Sequence, residues 1–411
     1  MPRFCPPVYT GGSTHTGDNG GETMRGKPIV TRIEVDEFVD QLQDVGLDPT
    51  GAIPTYSPGS TYTRHLGAIR IHTDVGLVGE YAGWGTAEAL ALPAFAGSLI
   101  GRSALERERI YEESKLATRQ IGRLGMGIVD VALWDLAGKY YDAPIYELLG
   151  GYRRKLPAYA STMNGGTSGG LHTPEAFADF AEECLSLGYP AYKIHPWPGG
   201  PIRRHVEAVR ELGRRVGGKM DLMIDPFCYY KTFGDALKVG RACDEAGFFW
   251  WEDPYRDGGI SQAGHRKLRQ LVRTPLLQAE HVRSLEPHVD FMVAEATDFI
   301  RGDVTYDGIT GTMKIAHAAE GLGVDVEYHG AGPAQRHCMA ATRNSNYYEM
   351  VWVHPKLRSS MPPIYQDGYQ DGLDAVDAEG CVEVPEGPGL GVKYDWGYIG
   401  RNRVGGRVFG E

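Results

Sequence analysis

Three carboxylates, Asp225, Glu252 and Glu280, recur 27 and 28 residues apart, and each closes a short apolar run (LMID, FFWWE and PLLQAE). Carboxylates brought to one point repel each other unless a cation neutralises them, and an all-oxygen donor set with room for water or substrate oxygens suits Mg2+. Any one of them alone reads equally well as a solvated strand end or a helix cap. Their shared position in consecutive runs is what argues for a metal set. His329 closes a later run, and Asp303 closes the run before it. A carboxylate beside an imidazole fixes its tautomer and stabilises the imidazolium, as a general base requires. Lys193 and His195 stand two apart in YKIH, so on a strand both point to one side, next to the strand that ends at Asp225. A cation nearby lowers the pKa of either group and helps a neutral base persist. The plainer roles for this pair are a buried counter-ion and a hydrogen-bonding bystander.

These residues need a frame that aims them at one place. The polar ends at 195, 225, 252, 280, 303 and 329 are 23 to 30 residues apart, the length of one strand–helix unit. Amphipathic patterns over residues 202–216, 233–246 and 312–319 supply the helices between them, and a last strand is expected near 347–353. An open doubly wound sheet aims such residues only at its switch point, whereas a closed barrel aims all of them at one mouth. Residues 155–361 therefore read as a (β/α) barrel with its site at the carboxyl ends of the strands.

The preceding segment has a different rhythm. Residues 29–39, 66–72 and 76–81 suggest a three-stranded antiparallel meander, followed by helical patterns over 87–100, 104–119 and 127–141. In the last of these, Val129, Ala132, Leu133, Leu136 and Tyr140 line one apolar face. Residues 27–154 thus read as an α+β module to which the Gly-, Asp- and Pro-rich segment 362–411 returns. Residues 46–64, rich in Pro, Gly, Thr and Tyr, suggest a long loop serving as a lid, and residues 1–26 a flexible leader.

A length of 411 residues accommodates one barrel and one smaller domain. With 42 Lys and Arg against 53 Asp and Glu, the net charge of −11 argues against a nucleic-acid partner. No apolar run approaches the roughly 20 residues of a membrane span, and the first ten residues carry no secretion signal. Six cysteines, at 5, 184, 228, 243, 338 and 381, show no CxxC spacing. That pattern suggests reduced thiols in a cytoplasm, with neither a disulfide framework nor a zinc site. A soluble cytoplasmic enzyme acting on a small molecule, as a homo-oligomer, is the expectation.

Over residues 27–392 the chain resembles the enolase superfamily, and within it the mandelate racemase-like branch (mandelate racemase/muconate lactonizing enzyme type). The resemblance rests on GIVDVALWDLAGKYYDAPIYELLGG at 127–151, KIH at 193–195, WEDP at 251–254, AEH at 279–281, and DVTYDGITG at 303–311 followed by His329. It also rests on YYEM at 347–350, which resembles the segment whose glutamate, here Glu349, contacts a substrate oxyanion in that branch. The resemblance implies an α+β capping domain on a modified (β/α)7β TIM-like barrel. It further implies Mg2+-assisted removal of a proton α to a carboxylate. Three positions depart from the branch: His195 where a second lysine is frequent, Phe227 where asparagine is frequent, and Asp307-Gly308 in place of Gly-Gly.

The expected substrate is a sugar acid whose carboxylate meets a metal held by Asp225, Glu252 and Glu280, with Lys193 or a protonated Glu349 on the developing oxyanion. His329, oriented by Asp303, or His195 on the other face removes the α-proton. Loss of a β-hydroxyl then gives a 2-keto-3-deoxy acid, the reaction of an acid-sugar dehydratase. The same intermediate serves a racemase or epimerase, or a cycloisomerase. A barrel that has lost catalysis and acts as a scaffold or sensor has no need to keep metal ligands, dyad and Glu349 in register.

Overall fold

A computed structural model describes residues 26–48, 51, 53–255 and 258–411; the leader expected over 1–26 lies, but for Gly26, outside the described residues. Among the described residues the chain opens on a long antiparallel hairpin, β1 (Val30–Leu47) and β2 (Pro54–Thr73), paired from Val30 opposite Thr73 to Leu47 opposite Pro54 with register shifts after Val30 and after Gln43. β3 (Val78–Gly85) pairs with β2. Ile33 and Val35 on β1, and Ile69 and Ile71 on β2, alternate into the core with a period of two.

The loop expected over 46–64 is instead mostly strand. Thr61 and Thr63 pair with Gln43 and Gln41, since threonine and tyrosine suit a half-exposed ladder. The Pro58-Gly59 signal marks only a bulge, where Asp44 and Gly59 both take positive φ and the Gly59 N–H donates to Asp44 Oδ1 at 2.8 Å. The helix expected over 87–100 is two 3-10 segments, Thr86–Ala94 and Ala96–Leu99, because Pro93 cannot continue an α-helical ladder.

Two helices follow, α1 (Arg107–Ala117) and α2 (Met126–Tyr141), then the single turn α3 (Ile145–Leu148). α2 is buried well beyond one stripe, because it lies between β3 and the barrel. Its buried acids are satisfied from both sides. Asp130 accepts from the Thr310 N–H at 2.8 Å and the Thr310 hydroxyl at 2.6 Å, and Asp135 accepts from the N–H groups of Glu80 and Leu390, both at 2.8 Å. Gly127 permits this approach, for a Cβ there would lie 2.2 Å from the Thr305 carbonyl oxygen.

The barrel runs β4 (Lys155–Asn164), α4 (Pro174–Ser186), β5 (Ala191–His195), α5 (Ile202–Val216), β6 (Asp221–Ile224) and α6 (Phe233–Ala246). It continues β7 (Trp250–Glu252), α7 (Gln262–Arg269), β8 (Leu276–Gln278), α8 (Leu285–Val293), β9 (Phe299–Gly302) and α9 (Val304–Leu322). β10 (Asp325–Tyr328), α10 (Pro333–Ala340) and β11 (Tyr348–Val353) complete it. β4 to β10 are parallel neighbours in chain order, and β11 returns to pair in parallel with the far side of β4. Eight strands and seven intervening helices give the (β/α)7β arrangement. At the seam between β10 and β11, Glu327 does part of the work of a ladder: its carboxylate accepts the N–H groups of Asn346 at 3.1 Å and Tyr347 at 3.3 Å. Tyr159, Ala191, Met223, Trp250 and Leu277 fill the barrel interior.

Beyond the barrel, β12 (Cys381–Glu383) pairs with β4, α11 (Trp396–Arg401) follows, and β13 (Arg403–Gly410) closes antiparallel on β1. No helix among the described residues is long and apolar enough to cross a membrane.

Candidate active site

Each strand delivers its polar residue at the carboxyl end. His195 is the last residue of β5, Asp225 directly follows β6, Glu252 is the last of β7, Glu280 lies two past β8, Asp303 follows β9 and His329 follows β10. Glu349 is the second residue of β11. Parallel strands curled into a barrel bring these ends to one mouth, and oxygen atoms of Asp225, Glu252 and Glu280 lie within 4.8 Å of one another. Hard carboxylate oxygens, clustered and largely buried, are the donor set that a Mg2+ ion needs. Burial holds Glu280 above its usual range, His329 opposes this, and the charges of Glu252 and Asp225 add to it.

Lys193 lies below these carboxylates, with Nζ 2.8 Å from Glu252 Oε2, 3.0 Å from Glu349 Oε1 and 4.0 Å from Asp225 Oδ2. Burial disfavours its charge, but Glu252 and Glu349 outweigh that and keep it an ammonium. Of the roles open to Lys193, these contacts match a buried counter-ion that can donate to an oxygen in the site. Glu349 faces the same group of cations. Burial opposes its charge, yet Lys193, Arg301 and His329 hold it well below the usual carboxylate range. It also accepts the Ser161 hydroxyl at 2.9 Å and the Gly330 N–H at 2.8 Å.

The two histidines flank the carboxylates. His329 Nδ1 lies 2.6 Å from Asp303 Oδ2, and its Nε2 lies 3.3 Å from Glu280 Oε1. Asp303 is fixed in turn as the N-cap of α9, its Oδ1 accepting the N–H groups of Thr305 and Tyr306. Burial lowers the His329 pKa, but Glu280 and Asp303 outweigh it and push it up to about 10. His195 Nδ1 donates to the Thr162 carbonyl at 2.5 Å, and its Nε2 faces Asp225 Oδ2 at 3.3 Å. Asp225 lies below the usual range, because the hydrogen bond and charge of His195, together with Lys193, overcome burial.

Arg301 is a site residue that spacing alone did not single out. Its guanidinium, fully buried, bonds both oxygens of Glu252, the Tyr159 hydroxyl at 3.0 Å and the Tyr328 carbonyl at 3.2 Å. It stands two before Asp303, so strand periodicity could have placed it on the same side. The hairpin tip, within the segment expected to serve as a lid, also reaches the site. Thr55 pairs with Asn164 at the end of β4, Asn164 Nδ2 donates to the Pro54 carbonyl at 3.4 Å, and Tyr56 stacks on His354, just past β11, with ring centroids 4.3 Å apart. The tip thus lies against the mouth between the first and last barrel strands.

Residues 176–398 match the enolase C-terminal domain-like family, and residues 51–150 match the N-terminal domain of the mandelate racemase/muconate lactonizing enzyme family. The chain belongs to the enolase superfamily, in its mandelate racemase/muconate lactonizing enzyme branch. It is 30% identical over 279 residues to a D-gluconate dehydratase of Thermoproteus tenax, a match covering 65% of this chain and about half, 54%, of that relative. A D-gluconate/D-galactonate dehydratase of Picrophilus torridus is 32% identical over 277 residues, 65% of this chain and 68% of its own length. The crystal structure of a D-glucarate dehydratase from Agrobacterium tumefaciens complexed with magnesium has a TM-score of 0.83 and 31% identity, covering 92% of this chain and 100% of that one.

Proposed function

We propose that this protein is an acid-sugar dehydratase. In this reading residues 27–154, with 362–411 returning to them, cap the barrel formed by residues 155–361. Mg2+ held by Asp225, Glu252 and Glu280 would supply Lewis-acid stabilisation of the negative charge that builds on the substrate carboxylate. Lys193, a buried ammonium between Glu252 and Glu349, donates to an oxygen of that carboxylate as charge develops.

His329 takes the α-proton at Nε2, because Asp303 engages Nδ1 and fixes the tautomer. The charge of Glu280 is the chief cause of its raised basicity, and a cation beside Glu280 removes that cause. His195, with Nδ1–H committed to Thr162, presents Nε2 from the opposite end of the carboxylate cluster. Removal of the α-proton and departure of the β-hydroxyl as water leaves an enol, which tautomerises to the 2-keto-3-deoxy acid.

The observation that carries this reading is the Asp303–His329 pair directed at Glu280, an acid, an imidazole and a candidate metal ligand on three consecutive strand ends. Dehydratases among its relatives support the choice of outcome. Epimerisation is the second reading, favoured by the placing of His195 and His329 at opposite ends of the carboxylate cluster. Incubation of the protein and Mg2+ with a library of mono- and diacid sugars, reading 2-keto acid formation, tests it. Formation of 2-keto acid from at least one member supports dehydration; exchange of the α-proton without any 2-keto acid product contradicts it.

A further inference from the structure

Just beyond the three carboxylates, the same three loops bring a second, chemically different set together. Cys228 follows Asp225 by three residues, Asp253 directly follows Glu252, and His281 directly follows Glu280. The Cys228 sulfur, an Asp253 oxygen and a His281 nitrogen all lie within 4.8 Å of one another. The loops are tied by backbone as well: the Cys228 N–H donates to the Asp253 carbonyl at 2.8 Å.

Asp253 is the unusual member. It is 1% exposed, and among the described residues neither of its carboxylate oxygens accepts a hydrogen bond. His281 Nε2 lies 3.2 Å from Oδ2 without hydrogen-bond geometry. The backbone closes in on the other oxygen, since a Cβ on Gly259 would lie 2.8 Å from Oδ1. A buried carboxylate left without donors is costly, so its persistence asks for a partner. An apolar neighbour cannot serve; a cation can.

We propose that Cys228, Asp253 and His281 form a second metal site, for a divalent transition-metal ion of the zinc type. A thiolate, an imidazole and one carboxylate make a borderline-soft donor set, which Mg2+ binds poorly and zinc-type ions bind well. Three protein ligands leave a fourth position for water, and His281, with its side chain 38% exposed, opens the site towards solvent. Cysteine spacing cannot reveal such a site, because each ligand comes from a different loop. The proposal goes beyond the dehydratase reading and does not depend on it.

Titration of the metal-free protein with Co2+ in excess Mg2+ tests the proposal, because a cobalt–thiolate bond absorbs in the near ultraviolet and an all-oxygen site does not. The wild-type protein should take up one Co2+ with that band. Cys228→Ser should lose the band, and His281→Asn should weaken Co2+ binding by at least about tenfold, the loss expected even for a residue that merely orients a ligand. Near-ultraviolet circular dichroism checks that both variants keep the native fold, and Cys228→Ser should retain any Mg2+-dependent turnover. Absence of the band in the wild type, or its persistence in folded Cys228→Ser, overturns the assignment while leaving the dehydratase reading standing.

Discussion

Arg301 clamps Glu252 in a two-pronged hydrogen bond, Nε to Oε1 at 2.5 Å and Nη2 to Oε2 at 2.8 Å, with both side chains fully buried. Lys193 adds a third donor to Oε2 at 2.8 Å. Glu252 is therefore the counter-ion of two buried cations as well as a candidate metal ligand. Considered as one of three repelling carboxylates, it would be expected to relax the metal-free protein on neutralisation. The clamp reverses that sign. Glu252→Gln should abolish turnover and weaken Mg2+ binding, and should also cost up to about 3–5 kcal/mol of stability by leaving Arg301 and Lys193 to share Glu349 as their nearest carboxylate. Urea unfolding without metal measures this, and an unchanged midpoint would mean that the clamp contributes nothing.

Asp307 predicts a pH dependence. Burial pushes its pKa up to about 7; its Oδ1 accepts the Ser284 N–H at 2.6 Å, and among the described residues Oδ2 has no hydrogen-bond partner. The folded protein thus keeps a proton that the unfolded chain releases near pH 4, so stability falls as pH rises from about 4 to 7 and is level above that. Asp307→Asn keeps the acceptor for Ser284 and removes the titration. It should flatten the curve in that window and gain at most about 4 kcal/mol at pH 8, from about three units at 1.36 kcal/mol each. Stability curves of both proteins that run parallel from pH 4 to 8 would contradict this.

The hairpin tip predicts a separation of activity from stability. Tyr56 contacts the barrel by stacking on His354, a contact worth about 0.5–1.5 kcal/mol. Tyr56→Ala should lower kcat/KM by about tenfold while changing unfolding free energy by less than about 1.5 kcal/mol. A larger loss of stability with activity retained would make the tip packing and not a cover.

The barrel was legible because its signal is a repeat: residues 195, 225, 252, 280, 303 and 329 recur at the length of one strand–helix unit and all end at or just past a strand. Local composition misled where a single residue carried the reading. Pro58 and Gly59 suggested a loop, yet they form a bulge in a strand that continues on both sides. Pro93 interrupts a helical pattern and turns it into 3-10 segments. Charge states were not legible. Lys193 and Glu349 become an ammonium and a carboxylate only because Arg301, Glu252 and Lys193 meet in the barrel interior, and no periodicity along one strand announces contacts among β5, β7, β9 and β11.

In the proposed reaction His329, oriented by Asp303, removes the α-proton of a bound sugar acid. The direct measurement is exchange of that proton in D2O, followed by NMR with Mg2+ and an active substrate, for His329→Asn and His195→Asn side by side. His329→Asn should eliminate both 2-keto acid formation and α-proton exchange, whereas His195→Asn should slow turnover and still permit exchange on one face. Loss of exchange in His195→Asn with exchange retained in His329→Asn would contradict this assignment and place the base at the end of β5.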